Sequence, residues 1–265
     1  MSAAPTTRVV RYDLVPRLLR VRRTERISPR MIRVTLAGPD LAGFQEQAPA
    51  DHVKLFFPER RGEPPLMPTV GPRGLERDAR HVFRDYTVRA YWPADGELDI
   101  DFVVHGTGPA ATWADNARPG DAVGVLGPRG SVLPPVGLDW YLLGGDETAL
   151  PALSRWLEWL PAGARAYVFV EVADATEEQS LPTAAAATVT WLRRDRAPAG
   201  TNLLAEAVTT FDLPPGDGFA WVAGEAGSLR PIRRHLRERL PKDAFVVDGY
   251  WKRGETNFDH HAEQD

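Results

Sequence analysis

The residues best suited to chemistry in this chain lie close together in Arg84-Asp85-Tyr86-Thr87-Val88-Arg89-Ala90-Tyr91-Trp92. Aromatic and β-branched residues alternate there with charged ones, which predicts a single strand with Arg84 and Tyr86 on one face. A guanidinium forks onto phosphate oxygens, a phenol offers a flat apolar surface, and a neighbouring hydroxyl can bond a ring nitrogen. A ligand with phosphate at one end and an aromatic ring system at the other matches that set, and flavin nucleotides have this anatomy. Taken alone, the pattern equally suits a barrel strand with one wet face.

A second candidate is Gly106-Thr107-Gly108-Pro109-Ala110-Ala111-Thr112-Trp113-Ala114. Glycines run into a predicted helix over 110–117, whose free N-terminal amides would point at an anion such as a diphosphate. A Gly/Pro turn ahead of an ordinary helix reads the same way. His105 is either a ligand-stacking residue or a strand-end histidine. No second histidine lies near it in sequence, so no metal site is expected there. His260-His261, near Asp259 and Glu263, reads as a frayed polar tail rather than a metal site.

The elements that must position these residues divide into two patterns. Short extended runs at Arg8 to Tyr12, Leu18 to Arg23, Ile32 to Leu36, His52 to Phe57, Leu98 to His105 and Ala122 to Leu126 predict a small antiparallel barrel. The Pro-, Gly- and Arg-rich stretch 59–80 reads as a long surface loop. After Pro134-Pro135-Val136-Gly137 strands alternate with helices, with strands at 140–144, 166–172, 188–192, 219–223 and 244–247 and helices at 149–160, 202–211 and 228–240. That alternation predicts a parallel sheet with ligands at the strand carboxyl ends. Two of those ends are polar and glycine-containing, Gly144 to Thr148 and Gly224 to Gly227, and neither is a G-x-G-x-x-G fingerprint. The predicted domains are 1–134 and 138–265.

Composition narrows the function. The 265 residues carry a net charge of −4, which argues against nucleic acid and against a polybasic membrane patch. Cysteine is absent, which excludes disulfides, zinc-thiolate sites, cysteine-ligated iron–sulfur clusters and thiol catalysis. No apolar run is long enough for a signal peptide or a membrane span, so a cytoplasmic protein with no stable membrane insertion is expected. With three lysines against 29 arginines, a lysine inside a motif marks a place for a compact ammonium.

A barrel followed by an α/β domain is the layout of the ferredoxin-reductase-like flavoproteins, and within them the chain resembles the siderophore-interacting proteins, or ferric-siderophore reductases. The resemblance runs over nearly the whole length. It rests on His52-Val53-Lys54-Leu55, Arg84 to Arg89, Phe102 to His105 with Gly108-Pro109-Ala110 and Trp113-Ala114, Gly145 to Pro151, Gly224-Glu225-Ala226, and Gly249 to Gly254. It implies FAD in the barrel, with Arg84 on the diphosphate, Tyr86 against the isoalloxazine and Thr87 near its N5. Val103, His105 and the turn Gly108, Pro109, Ala110, Ala111 and Thr112 would complete the diphosphate and ribityl contacts. It further implies NADPH or NADH at Asp146, Glu147, Thr148, Gly224, Glu225 and Ala226, although two acidic residues are poor neighbours for phosphate and point to backbone or ribose contacts. Some relatives take electrons from a ferredoxin instead. Lys54, Arg233 and Lys252 would form a basic cluster for an anionic ferric siderophore. A general NAD(P)H:flavin reductase serving a protein partner and a non-enzymatic siderophore carrier are the competing functions.

Overall fold

A computed structural model describes residues 7–72, 74–76, 78–104, 106 and 108–255. Among the described residues the chain forms two compact units, one spanning Val9–Leu133 and the other the segment from Pro134 to Glu255 together with the chain up to Arg8.

The first unit contains β1 (Arg8–Arg11), β2 (Pro16–Ser28), β3 (Met31–Ala37), β4 (His52–Phe56), β5 (Thr69–Gly71), β6 (Gly74–Glu76), β7 (Phe83–Thr87), β8 (Ala90–Trp92), β9 (Glu97–Val103), helix α1 (Pro109–Asn116), β10 (Ala122–Leu126) and β11 (Gly130–Leu133). Seven of these strands pair in the order β7-β4-β10-β2-β3-β9-β8, all neighbours antiparallel. Strands β7 and β8 are the two edges, yet two residues join them. Laid flat, seven strands at about 4.8 Å spacing would hold their edges about 29 Å apart. Three Cα steps reach about 11 Å. The sheet therefore curls until its edges meet, which is a barrel. Rings confirm the closure: Tyr86 of β7 lies 4.4 Å from Phe102 of β9, centroid to centroid.

The single strand expected over 84–92 is thus two. Its break is at Val88-Arg89, where Val88 N donates to Asp51 O at 2.8 Å and Arg89 N to Asp99 O at 2.9 Å. The side-chain alternation reads straight through this corner because it reports faces, not ladder partners. The expected long loop over 59–80 also differs, since it holds the β5–β6 hairpin. Strand β11, unforeseen, pairs with β1 in a separate ribbon.

The second unit contains β12 (Trp140–Gly145), α2 (Leu150–Trp159), β13 (Arg165–Val172), β14 (Ala186–Arg193), α3 (Leu203–Thr210), β15 (Gly218–Glu225), α4 (Arg230–Arg239) and β16 (Phe245–Trp251). Its five-stranded parallel sheet runs β14-β13-β12-β15-β16. Strand β12 is buried along its whole length, as the near-continuous apolar run of a parallel core strand requires. Helix α2 buries Leu150, Leu153 and Leu157, and carries Pro151 in its first turn, where no N–H is missed.

Gly145 is required by close approach. A Cβ there would stand 2.4 Å from Ala149 Cβ and 2.7 Å from Ala223 O. Gly145→Ala should therefore lower stability by about 1–3 kcal/mol, the usual range for overpacking. Chemical denaturation checks this, and an unchanged midpoint would mean that the turn relaxes freely.

Candidate functional site

In the first unit, register decides which side chains share a face. Arg84 pairs with Leu55 and Tyr86 with Val53, and both partners are buried core residues. Directly opposed residues point the same way, so Arg84 and Tyr86 lie together on the inner face of β7. Phe83, Asp85 and Thr87 fall on the other face by the same alternation.

Tyr86 is held by aromatic contacts. Phe102 touches it and also stands 5.7 Å from Trp113 of α1, while Trp113 lies 5.4 Å from Phe57. These rings join β7, β9 and α1 around one point. Burial raises the Tyr86 phenol well above its ordinary pKa against the lowering pull of Arg84, so it is a neutral ring surface. Half-buried Arg84 donates to Phe83 O at 2.6 Å, and burial pulls its pKa down.

Helix α1 begins at Gly108 with Pro109 at its first position, and no side chain caps it. Ala110 and Ala111 supply amides that a helix leaves without intrahelical acceptors. A Cβ on Gly108 would meet nothing within 4 Å, so the approach is open. Val103 ends β9 opposite Met31. His105, the remaining expected contact, lies outside the described residues, as do His260 and His261. Among the described residues no cluster of metal-ligating side chains occurs.

An FAD fits these residues. Arg84 and Tyr86 on one strand face offer a cation and a ring surface, and the uncapped start of α1 offers free amides, the kinds of group a phosphate-bearing ring ligand asks for.

Lys54 is set apart from Arg84 and Tyr86. On the opposite face of β4 its ammonium bonds both Asp85 oxygens, at 2.9 and 2.8 Å, and sits 5.1 Å over the Phe83 ring.

In the second unit the polar strand ends do come together. Asp146, 8% exposed, accepts from Thr148 N at 2.9 Å, Thr148 Oγ1 at 2.5 Å, Glu225 N at 3.0 Å and Trp251 Nε1 at 2.8 Å. Burial raises its pKa, opposed by the bonds from Thr148 and Trp251 and assisted by Glu147. Gly224 has φ +152°, and a Cβ on it would approach Asp146 Oδ2 to 2.8 Å. Ala226 N donates to Trp251 O. Glu147 is engaged elsewhere, by Arg194, which also bridges to Glu171. Trp251 and Arg194 were not foreseen as part of this arrangement. Arg194 lies 47 residues from Glu147, and only the sheet order, not spacing, brings them together.

On helix α4, Arg233 is half-buried and donates to Val247 O at 2.8 Å, whereas Arg230, Arg234, Arg237 and Arg239 are exposed. Lys252, just past β16, pairs with Glu255 at 2.6 Å.

Residues 20–132 match the siderophore-interacting FAD-binding domain, and residues 138–254 match the siderophore-interacting protein domain. The chain belongs to the siderophore-interacting protein family. Ferric vibriobactin reductase ViuB of Vibrio cholerae is 38% identical to this siderophore-interacting protein over 257 residues, covering 94% of each chain. The NADPH-dependent ferric-chelate reductase of Escherichia coli is 35% identical over 248 residues, covering 91% of this chain and 95% of its own. A crystal structure of a siderophore utilization protein from T. fusca superposes with a TM-score of 0.90 at 47% identity, covering 96% and 99%.

Proposed function

We propose that this siderophore-interacting protein is an FAD-dependent reductase that uses NAD(P)H to convert a ferric siderophore to its ferrous form. The observation that carries the reading is Arg84 and Tyr86 on one face of β7, with the Tyr86 ring linked through Phe102 to Trp113 of α1, a helix whose start no side chain caps. The names of the Vibrio and Escherichia relatives support it. FAD, when bound, accepts two electrons as hydride and can release them singly to Fe(III). No side chain has to act as nucleophile or general base. Arg84 and the amides of Ala110 and Ala111 would hold the diphosphate and Tyr86 would support the ring, while Thr87, on the other face of β7, could reach the flavin only at the strand's end, where the chain turns at Val88. Hard anionic oxygen ligands hold Fe(III) far better than Fe(II), so reduction frees the metal. Lys54 of the first unit, and Arg233 and Lys252 of the second, are each proposed separately as a cation for the anionic substrate. Asp146, Glu147, Thr148, Gly224, Glu225 and Ala226 border the proposed nicotinamide-nucleotide region. Among the described residues no helix is long and apolar enough to cross a membrane, and NAD(P)H is a cytoplasmic reductant, so the cytoplasm is the proposed location.

The test is spectroscopic. The purified protein should be yellow and should bleach anaerobically with NAD(P)H. It should then recover its colour faster with a ferric siderophore than with oxygen. A protein that purifies without flavin and takes none up is a carrier, a yellow protein that never bleaches with NAD(P)H draws its electrons from another donor such as a ferredoxin, and recovery no faster with the siderophore than with oxygen marks a generic flavin reductase.

Lys252→Ala should leave flavin content unchanged and weaken binding of an anionic ferric tris-catecholate about tenfold, the scale of a hydrogen bond to a charged group. A neutral ferric trihydroxamate should lose less, and the difference should shrink as salt rises. Equal losses for both ligands would remove Lys252 from the substrate contact.

A further inference from the structure

The strand order of the second unit puts its topological switch point between β12 and β15, where open α/β sheets hold ligands outside the strand carboxyl ends. Backbone amides at such ends ordinarily meet the phosphates of a nucleotide. Here Thr148 N, Glu225 N, Ser228 N and Arg253 N are already taken by carboxylates of the chain itself.

After β12 the acceptor is Asp146. Its two oxygens collect Thr148 N, Thr148 Oγ1, Glu225 N and Trp251 Nε1. After β15 the acceptor is Glu225, whose Oε2 takes Ser228 N at 2.6 Å and whose Oε1 takes Arg253 N at 3.2 Å. Against burial, which raises it, the bonds from Arg253 and Ser228 leave Glu225 below its ordinary pKa. Carboxylate and phosphate oxygens compete for the same donors. The fit around Asp146 is tight, because Gly224 has no room for a Cβ beside Oδ2. A third carboxylate, Glu147, is 8% exposed beside it, and Arg194 is held between Glu147 and Glu171.

We infer that Asp146 and Glu225 are internal anions standing where a dinucleotide diphosphate would otherwise be bound, so that this protein engages its nicotinamide donor without a diphosphate seat and holds it weakly. The inference rests on the proposed use of NAD(P)H by the second unit, and deepens it. Asp146 sets specificity by exclusion, through like charge and through prior occupation of the donors.

The experiment is calorimetric titration of the FAD-loaded protein with ADP-ribose, which keeps the diphosphate and lacks nicotinamide. Wild type should not approach saturation below millimolar concentration. Asp146→Ser removes the carboxylate and leaves Thr148 N, Glu225 N and Trp251 Nε1 converging on a space. It should bind ADP-ribose about tenfold or more tightly than wild type, the scale of charge-assisted hydrogen bonds to phosphate, and salt should weaken that gain. Glu225→Gln, at the half-exposed rim, should move affinity in the same direction and serves if Asp146→Ser does not fold. Wild type saturating at micromolar ADP-ribose, or folded variants that bind no better, would overturn the inference. Failure of NAD(P)H to reduce the flavin at any concentration sinks the proposed donor instead, and leaves the ADP-ribose result to decide the role of Asp146 by itself.

Discussion

Arg84→Ala should fold normally and purify largely without flavin. Arg84 shares the inner face of β7 with Tyr86 and lies opposite Leu55, so its guanidinium stands between the barrel core and whatever binds at the edge. Burial lowers the Arg84 pKa, and a charge-assisted hydrogen bond to a phosphate would offset that cost. Losing that bond should weaken FAD by about 1.5–3 kcal/mol, or one to two orders of magnitude in affinity. The bond to Phe83 O is to the neighbouring residue in the same strand, and exposed or half-exposed polar side chains ordinarily contribute little to stability. Stability of the flavin-free variant should therefore remain near that of flavin-free wild type. The ratio of flavin to protein absorbance measures the effect. Full occupancy in the variant would take Arg84 out of the site.

Much of this site was legible because strand alternation and strand order are written locally. Period two alone puts Arg84 and Tyr86 on a common face, and the β/α alternation after Pro134 predicts a parallel sheet whose strand ends carry Gly145 and Gly224. What stayed hidden depends on partners distant in sequence. Asp146 and Glu147 are adjacent and chemically alike, yet one receives Trp251, 105 residues away, and the other Arg194. Nothing local distinguishes them. The corner at Val88-Arg89 was hidden for a similar reason, because its amides change partners from β4's neighbourhood to β9 without any break in the pattern of side chains.

Lys54 shows the opposite case, where a motif is clear but its setting is not. Its position in His52-Val53-Lys54-Leu55 suggests a cation for substrate, while the fold supplies it with Asp85 directly across the β4–β7 ladder. A half-exposed pair of this kind contributes little to stability. Asp85 holds the ammonium in one place, and any anion proposed to bind Lys54 would have to compete with it.

Phe102→Ala should destabilise the protein more than any change at the binding surface. Phe102 is fully buried in β9, and its ring is shared by Tyr86 at 4.4 Å, Trp113 at 5.7 Å and Phe57 at 6.5 Å. Removing an aromatic side chain from such a position takes away its transfer free energy and leaves a cavity, together about 3–5 kcal/mol. The cavity would open directly behind Tyr86, so the phenol ring loses its backing on the inner side. FAD bound to the folded state raises apparent stability by mass action, and the comparison must therefore be made on flavin-free protein. Phe102→Leu keeps part of the volume and should recover part of the loss. Because Arg84 is untouched, flavin affinity in Phe102→Ala should fall by less than in Arg84→Ala, while the near-ultraviolet signal of the aromatic junction should change more. A loss below about 1 kcal/mol, well under the range for deleting a buried aromatic ring, would mean that β7, β9 and α1 close on one another without this ring. Tyr86 would then owe its orientation to the β4 ladder instead.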